Sequence, residues 1–218
     1  MSMRFAVLGD SIAAGQGAQR RADTPAYRIA HRLRDHDLAV TTRIYASAGA
    51  RSAELAAQVE AALTWRPHLA VTIIGANDLL HHTRAGQAAR DLGDAVRRLR
   101  EVGASVVVAP APDLSALPGT PLGLRPVLHA ASMVLRDAQV VAARLAGAYV
   151  ADRDHGSAVI FAADRSLFSA DRFHPSSAGY AVIADTLLPA VVDALESRAD
   201  RIGATWRAAA VPRQVADA

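Results

Sequence analysis

Ser11, Asp171 and His174 are the residues of this chain whose types and placement suit covalent acyl transfer. Ser11 follows Gly9-Asp10 at the end of a short apolar run, and a serine on a tight strand-to-helix turn is a candidate nucleophile when a base can reach it. Asp171-Arg172-Phe173-His174-Pro175 supplies a base and a carboxylate three residues apart. In a turn leading into a helix, that spacing lets Asp171 hydrogen-bond the near side of the imidazole while its far nitrogen faces Ser11. Acyl transfer also needs donors for a developing oxyanion. The backbone N–H groups of Ser11 and Gly49 and the side-chain amide of Asn77 are suitable, and glycine at 49 allows close backbone approach to a substrate.

Composition removes most competing chemistries. The 218 residues contain no cysteine, so disulfides, thiolate metal sites and a cysteine nucleophile are excluded. All 24 basic residues are arginine, which removes a phosphate-loop lysine, a Schiff-base lysine and a Ser–Lys dyad. His81-His82 is adjacent rather than helically spaced and has no HExxH pattern, so no metal site is expected. A net charge of +3 gives no reason to expect a nucleic-acid partner. No apolar run approaches the roughly 20 residues of a spanning helix, so no membrane span is expected. Met1 to Phe5 leads directly into a strand-like run with no secretory pattern, which makes the cytoplasm the expected location.

The elements that must position these residues alternate between strand and helix. Strands are expected at Arg4–Leu8, Val40–Ala46, His68–Ile74, Ser105–Ala109 and Ala148–Ala151. Helices are expected from Thr24-Pro25 to about Leu38, at Ser52–Leu63 with Ser52 as cap, at Gly86–Val102, Pro126–Leu145 and Pro175–Leu195. Asp152–Arg172 reads as loop, and five of the ten prolines fall within residues 110–126, marking a second long loop. This order implies a three-layer α/β/α fold with a parallel sheet of about five strands. Residues 1–195 read as a single catalytic domain and 196–218 as a C-terminal tail or surface helix. In such a sheet, residues just beyond the carboxyl ends of the strands should converge, and Ser11, Gly49, Asn77, Asp171 and His174 occupy such places.

Gly9-Asp10-Ser11-Ile12, Gly49 within Ser47-Ala48-Gly49-Ala50-Arg51-Ser52, Gly75-Ala76-Asn77-Asp78 and Asp171-Arg172-Phe173-His174-Pro175 resemble, in order and spacing, the four sequence blocks of the SGNH hydrolases, or GDSL esterases and lipases. The resemblance spans about Arg4 to Leu195. It implies a flavodoxin-like fold and a cofactor-free, metal-free hydrolase of carboxylic esters or thioesters. By the same resemblance Ser11 is the nucleophile, His174 the base, Asp171 its orienter, and Ser11, Gly49 and Asn77 the oxyanion hole. Ile12 stands where the family name has leucine, and the Gly49 block lacks the asparagine that often precedes this glycine.

Other readings remain open at this level. Ser11 alone suits a helix cap, Asn77-Asp78 a turn, and Asp171 and His174-Pro175 the start of the final helix. Gly15-Gln16-Gly17 after the first strand suggests a nucleotide-binding protein, but the third glycine of that motif would fall at Arg20. A non-catalytic small-molecule-binding module is the further alternative. Leu117 and Leu122 in the proline-rich loop either line an acyl-binding wall or tuck the loop onto the core; substrate binding is the expectation. The expected partner is a small-molecule ester, and the residues do not specify an oligomeric state.

Overall fold

The computed structural model describes residues 2–152 and 156–201. Five strands, β1 (Met3–Gly9), β2 (Val40–Ile44), β3 (Leu69–Ile73), β4 (Ser105–Ala109) and β5 (Tyr149–Val150), form one sheet in the order β2-β1-β3-β4-β5. Every pairing is parallel. Parallel strands covered on both faces read as nearly continuous apolar runs, which is how β1 and β3 appear in the sequence.

The two faces separate by alternation along β1. Phe5 and Val7 point into a core with Leu69, Val71 and Val107, covered by α2 (Pro25–Arg34) and α8 (Ser177–Arg201). Ala6 and Leu8 point into the opposite core, covered by α3 (Leu55–Leu63), α5 (Ala85–Glu101) and α6 (Arg125–Leu145). Two short helices, α1 (Ser11–Ala14) and α4 (Ala76–Leu80), follow β1 and β3 directly. By length and composition α8 would suffice to cross a membrane, yet Tyr180, Leu187, Val191 and Leu195 on it are buried in this protein's own core.

The strand and helix order matches the sequence reading, with corrections at several ends. Ser52 is not a helix cap: its N–H and Oγ both donate to Asp78 Oδ2, and residues 52–54 form a 3-10 turn before α3. The segment expected as loop carries α7 (Gly156–Ala163) and a 3-10 turn at Arg165–Leu167. Ala158, Val159, Ile160 and Phe161 are consecutive apolar residues, so α7 has no helical stripe by which to recognise it. The proline-rich loop contains two 3-10 turns, Leu114–Ala116 and Leu122–Leu124. Residues 196–201 of the expected tail continue α8, and the rest of it, 202–218, lies outside the described residues.

The sheet order places a topological switch between β1 and β3, because the chain leaves β1 toward β2 on one side and returns to β3 on the other. Beyond that switch the strand ends are held by two buried glutamines. Gln58 of α3 accepts from Gly9 N (2.7 Å) and donates to Gly9 O (2.8 Å). Gln139 of α6 accepts from Ala111 N (2.7 Å) and donates to Ile74 O (3.2 Å). Each side chain replaces a ladder partner for backbone groups that water does not reach. Gln58→Leu keeps the apolar bulk but leaves both Gly9 groups without this partner, and should cost about 2–4 kcal/mol in urea unfolding. A loss below about 1 kcal/mol would show that the clamp is dispensable.

Candidate active site

The end of β1 sets the position of Ser11. Gly9 has φ +133°, and a Cβ built there would stand 1.8 Å from the Ile73 carbonyl oxygen, so only glycine lets β1 stop this close to β3. Asp10 N–H then donates to Ile73 O (3.1 Å), and Asp10 caps α1 through Oδ1, which accepts from Ile12 N (2.9 Å). Ser11 is therefore the first residue of a four-residue helix, 5% exposed, with its hydroxyl held beside the 168–175 segment.

That segment is shaped around Asp171. Phe168 and Pro175 form an antiparallel bridge, and Ser169 N donates to His174 O (2.8 Å), closing a small loop at whose turn Arg172 has φ +57°. Inside it Asp171 Oδ1 accepts from Ser169 Oγ (2.7 Å), Phe173 N (2.9 Å) and His174 N (2.9 Å), while Oδ2 lies 2.7 Å from His174 Nδ1. His174 Nε2 is 2.9 Å from Ser11 Oγ. An ionised carboxylate only accepts, so it calls for the proton on Nδ1 and leaves Nε2 to accept the Ser11 hydroxyl. Burial opposes the charge of Asp171, but the hydrogen bonds from the His174 ring, Phe173 N and Ser169 hold its carboxyl well below the usual carboxylate range. Asp171 is thus ionised throughout the neutral range.

The loops after β2 and β3 are tied together beside Ser11. Asp78 of α4 holds Ser52 by two hydrogen bonds of 3.0 and 2.8 Å, and Asn77 Nδ2 donates to Ala50 O (3.0 Å). Gly49 sits in the turn between them at φ +79°, exposed, with nothing within 4 Å of where a Cβ would be. An amide NH2 carries two hydrogens, so Asn77 keeps a second donor after its bond to Ala50.

The structure thus joins Ser11, His174 and Asp171 in one hydrogen-bonded chain. It separates the two leucines: Leu117 lines an apolar cavity together with Ile12 and Phe173, whereas Leu122 is 79% exposed and outside that lining. The expectation that Leu122 contributes to an acyl wall is not met, because the 3-10 turn that carries it is exposed at each of its three residues. Among the described residues no group of three or more histidine, aspartate and glutamate side chains is gathered for a metal ion.

Three supporting residues escape sequence reasoning: Asp10, Gln58 and Ser169. Gln58 had a signal, a polar residue among Leu55, Val59 and Ala62 on the buried side of α3. Ser169 had none, since its partner depends on the fold of the loop. Asp10 is 1% exposed, and its Oδ2 has no hydrogen-bond partner. Burial pushes its carboxyl up to about 6; the N–H groups of Ile12 and Ala13 and the nearby His174 oppose this, while Asp78 adds to it. A carboxyl raised on folding binds its proton more tightly folded than unfolded, so its contribution to stability falls as pH rises from about 4 to 6. Asp10→Asn keeps a capping oxygen without the charge. It should gain on the order of 2 kcal/mol over the parent above pH 7 and little at pH 4, by denaturant unfolding across that range. A pH-independent difference would place the ordinary carboxylate value at Asp10.

Comparison with known proteins agrees with this architecture. A GDSL-like esterase of Mycobacterium tuberculosis is 38% identical over 200 residues, covering 89% of this chain and 63% of the relative, so the chain spans less than two thirds of that protein's length. The crystal structure of TesA superposes with a TM-score of 0.72 at 19% identity, over 88% of this chain and 99% of that one. A psychrotrophic esterase, EstA from Pseudoalteromonas sp., superposes with a TM-score of 0.70 at 16% identity, over 88% of this chain and 98% of that one. These two establish a shared fold. Residues 7–182, which run from within β1 into α8 and include Ser11, Gly49, Asn77, Asp171 and His174, match the GDSL-like Lipase/Acylhydrolase family, and the chain belongs to that family.

Proposed function

We propose that this chain, through residues 1–195 as one catalytic domain, hydrolyses carboxylic esters with short acyl or acetyl groups, and thioesters of the same kind, by way of an acyl-enzyme on Ser11. The observation that carries the proposal is the unbroken chain Ser11 Oγ, His174 Nε2, His174 Nδ1, Asp171 Oδ2, with separations of 2.9 and 2.7 Å across its two contacts. Family membership and the resemblance to an M. tuberculosis protein described as an esterase support the same reaction class.

In this reading Ser11 Oγ forms a bond to the ester carbonyl carbon as its proton passes to His174 Nε2. The carbonyl electrons move onto oxygen, which receives hydrogen bonds from Ser11 N–H, Gly49 N–H and the second hydrogen of Asn77 Nδ2. Collapse breaks the bond to the alcohol oxygen, which takes the proton from His174 Nε2. Water then attacks the acyl-enzyme, giving its proton to the same nitrogen, and release of the carboxylic acid returns that proton to Ser11 Oγ. Asp171 keeps the imidazole in the useful tautomer and stabilises the imidazolium in both half-reactions.

Hydrolysis of p-nitrophenyl acetate and butyrate by the purified chain tests this. Ser11→Ala should lower kcat at least about a thousandfold, and a chelator should leave the parent unaffected. Asn77→Ala should lower kcat about 10²–10³-fold with KM little changed, since the oxyanion exists only along the reaction path. Retained turnover in Ser11→Ala would overturn the assignment of the nucleophile. No turnover of any ester or thioester by the folded parent would leave a binding protein that shares the fold.

A further inference from the structure

Two cavities lie side by side, and the smaller borders the segments that carry Ser11 and His174. The nearer, of about 120 Å3, reaches Ile12, the residue after Ser11, and Phe173 and Pro175, which flank His174. The other, of about 610 Å3, opens beyond it among α6, α7 and the proline-rich loop. They share Asp113, Ala116, Met133, Ala158 and Phe161 in their linings, so these residues form the partition between them.

The nearer cavity presents mainly carbon. Ile12, Leu117, Met133, Phe161, Phe168 and Ile183 contribute to its walls. The buried charge there is already matched: Arg136 Nη1 is 3.6 Å from Asp152 Oδ2, and Arg136 also donates to the Asp152 carbonyl. Asp113, a further carboxylate in the lining, accepts from Ser115 N (2.9 Å) and lies 2.6 Å from His129 Nδ1, so the charged groups that an incoming apolar group meets already have partners.

The partition is held from two sides. The Phe161 ring meets Phe168 edge-on, with centroids 5.2 Å apart, and its edge lies 3.1 Å from where a Cβ on Gly179 would be. Gly179 on α8 thus leaves the space that the ring approaches, and Phe168 fixes its tilt.

We infer that the smaller cavity is the acyl pocket and that Phe161, with Ala158 and Met133, sets the length of acyl chain the enzyme accepts. The inference rests on the ester hydrolase reading and adds the substrate class. A buried cavity of ~150 Å3 accommodates a six-carbon ring, so about 120 Å3 admits roughly four or five carbons beyond the carbonyl. Pentanoyl and hexanoyl groups fill it. A longer chain must displace Phe161 to enter the larger cavity.

The test is a chain-length profile of kcat/KM over p-nitrophenyl esters from acetate to dodecanoate. The parent should peak at five or six acyl carbons. Phe161→Ala joins the cavities and should raise the decanoate-to-butyrate ratio at least about tenfold, given roughly fourfold for each methylene newly buried. Ala158→Leu fills the partition from the small side and should lower the hexanoate-to-acetate ratio by a similar factor. Met133→Ala opens it from α6 and should act as Phe161→Ala does, so the inference is still decided if Phe161→Ala fails to fold. Turnover by the parent with profiles unchanged in the folded variants would overturn the partition and leave ester hydrolysis standing. A folded parent that turns over no ester of any length would overturn both.

Discussion

The site depends on how β1 stops. A parallel strand that ends against its neighbour must turn out of the sheet without leaving backbone groups unpaired and without a side chain striking the adjacent carbonyl. Gly9 meets the steric half of that requirement, since any Cβ there would overlap Ile73 O. Gln58 meets the polar half by pairing both its N–H and its C=O from α3. With these two conditions satisfied, Asp10 can cap α1 and Ser11 emerges at a defined angle toward His174. Asp10 then continues the constraint, because its N–H donates to Ile73 O and its Oδ1 accepts from Ile12 N.

Two aspartates on either side of this arrangement have opposite electrostatic fates for reasons visible in their surroundings. Asp171 is 45% exposed at its side chain and takes four hydrogen bonds, two from backbone, one from Ser169 and one from His174. Its negative charge is stabilised where an imidazolium needs it. Asp10 is buried, has one oxygen without a partner and feels Asp78, so its charge is disfavoured although it stands next to Ser11 in the chain. The protein thus keeps Asp171, beside His174, firmly ionised, and holds Asp10, behind Ser11, near neutrality at mildly acidic pH.

The walls of the smaller cavity are built largely by the proline-rich loop and α7. The proline-rich loop after β4 contributes Leu117 through a 3-10 turn, and α7 contributes Ala158 and Phe161 as a wall facing α8. The sheet ends and the 168–175 loop hold Ser11, Asn77, Asp171 and His174, while these segments shape the cavity beside them. Substitutions in these segments leave the strand ends that hold Ser11 and Asn77 in place.

Much of this was legible in the residues alone. Strand and helix order follows from apolar runs and helical periodicity, and the parallel sheet from their alternation. Ser11, Asp171 and His174 could be named as candidates because their types are rare in combination and sit just past strand ends, where an α/β sheet gathers ligands. What local pattern could not carry was anything that depends on a distant partner. Ser52 resembled a helix cap until Asp78, 26 residues away, proved to take both its donors. Leu117 and Leu122 have the same type in the same loop, yet one lines the cavity and the other faces solvent, because the side each takes depends on how the loop packs against α6 and α7. The apolar run of α7 lacked a stripe, and only tertiary packing made it a helix and a wall. Local chemistry and periodicity belong to the sequence itself, as does the three-residue spacing of Asp171 and His174, whereas the approach of Ser11 to His174, the clamp of Gln58 and the size of the smaller cavity arise from contacts between residues tens to more than a hundred positions apart, which only the folded chain brings together.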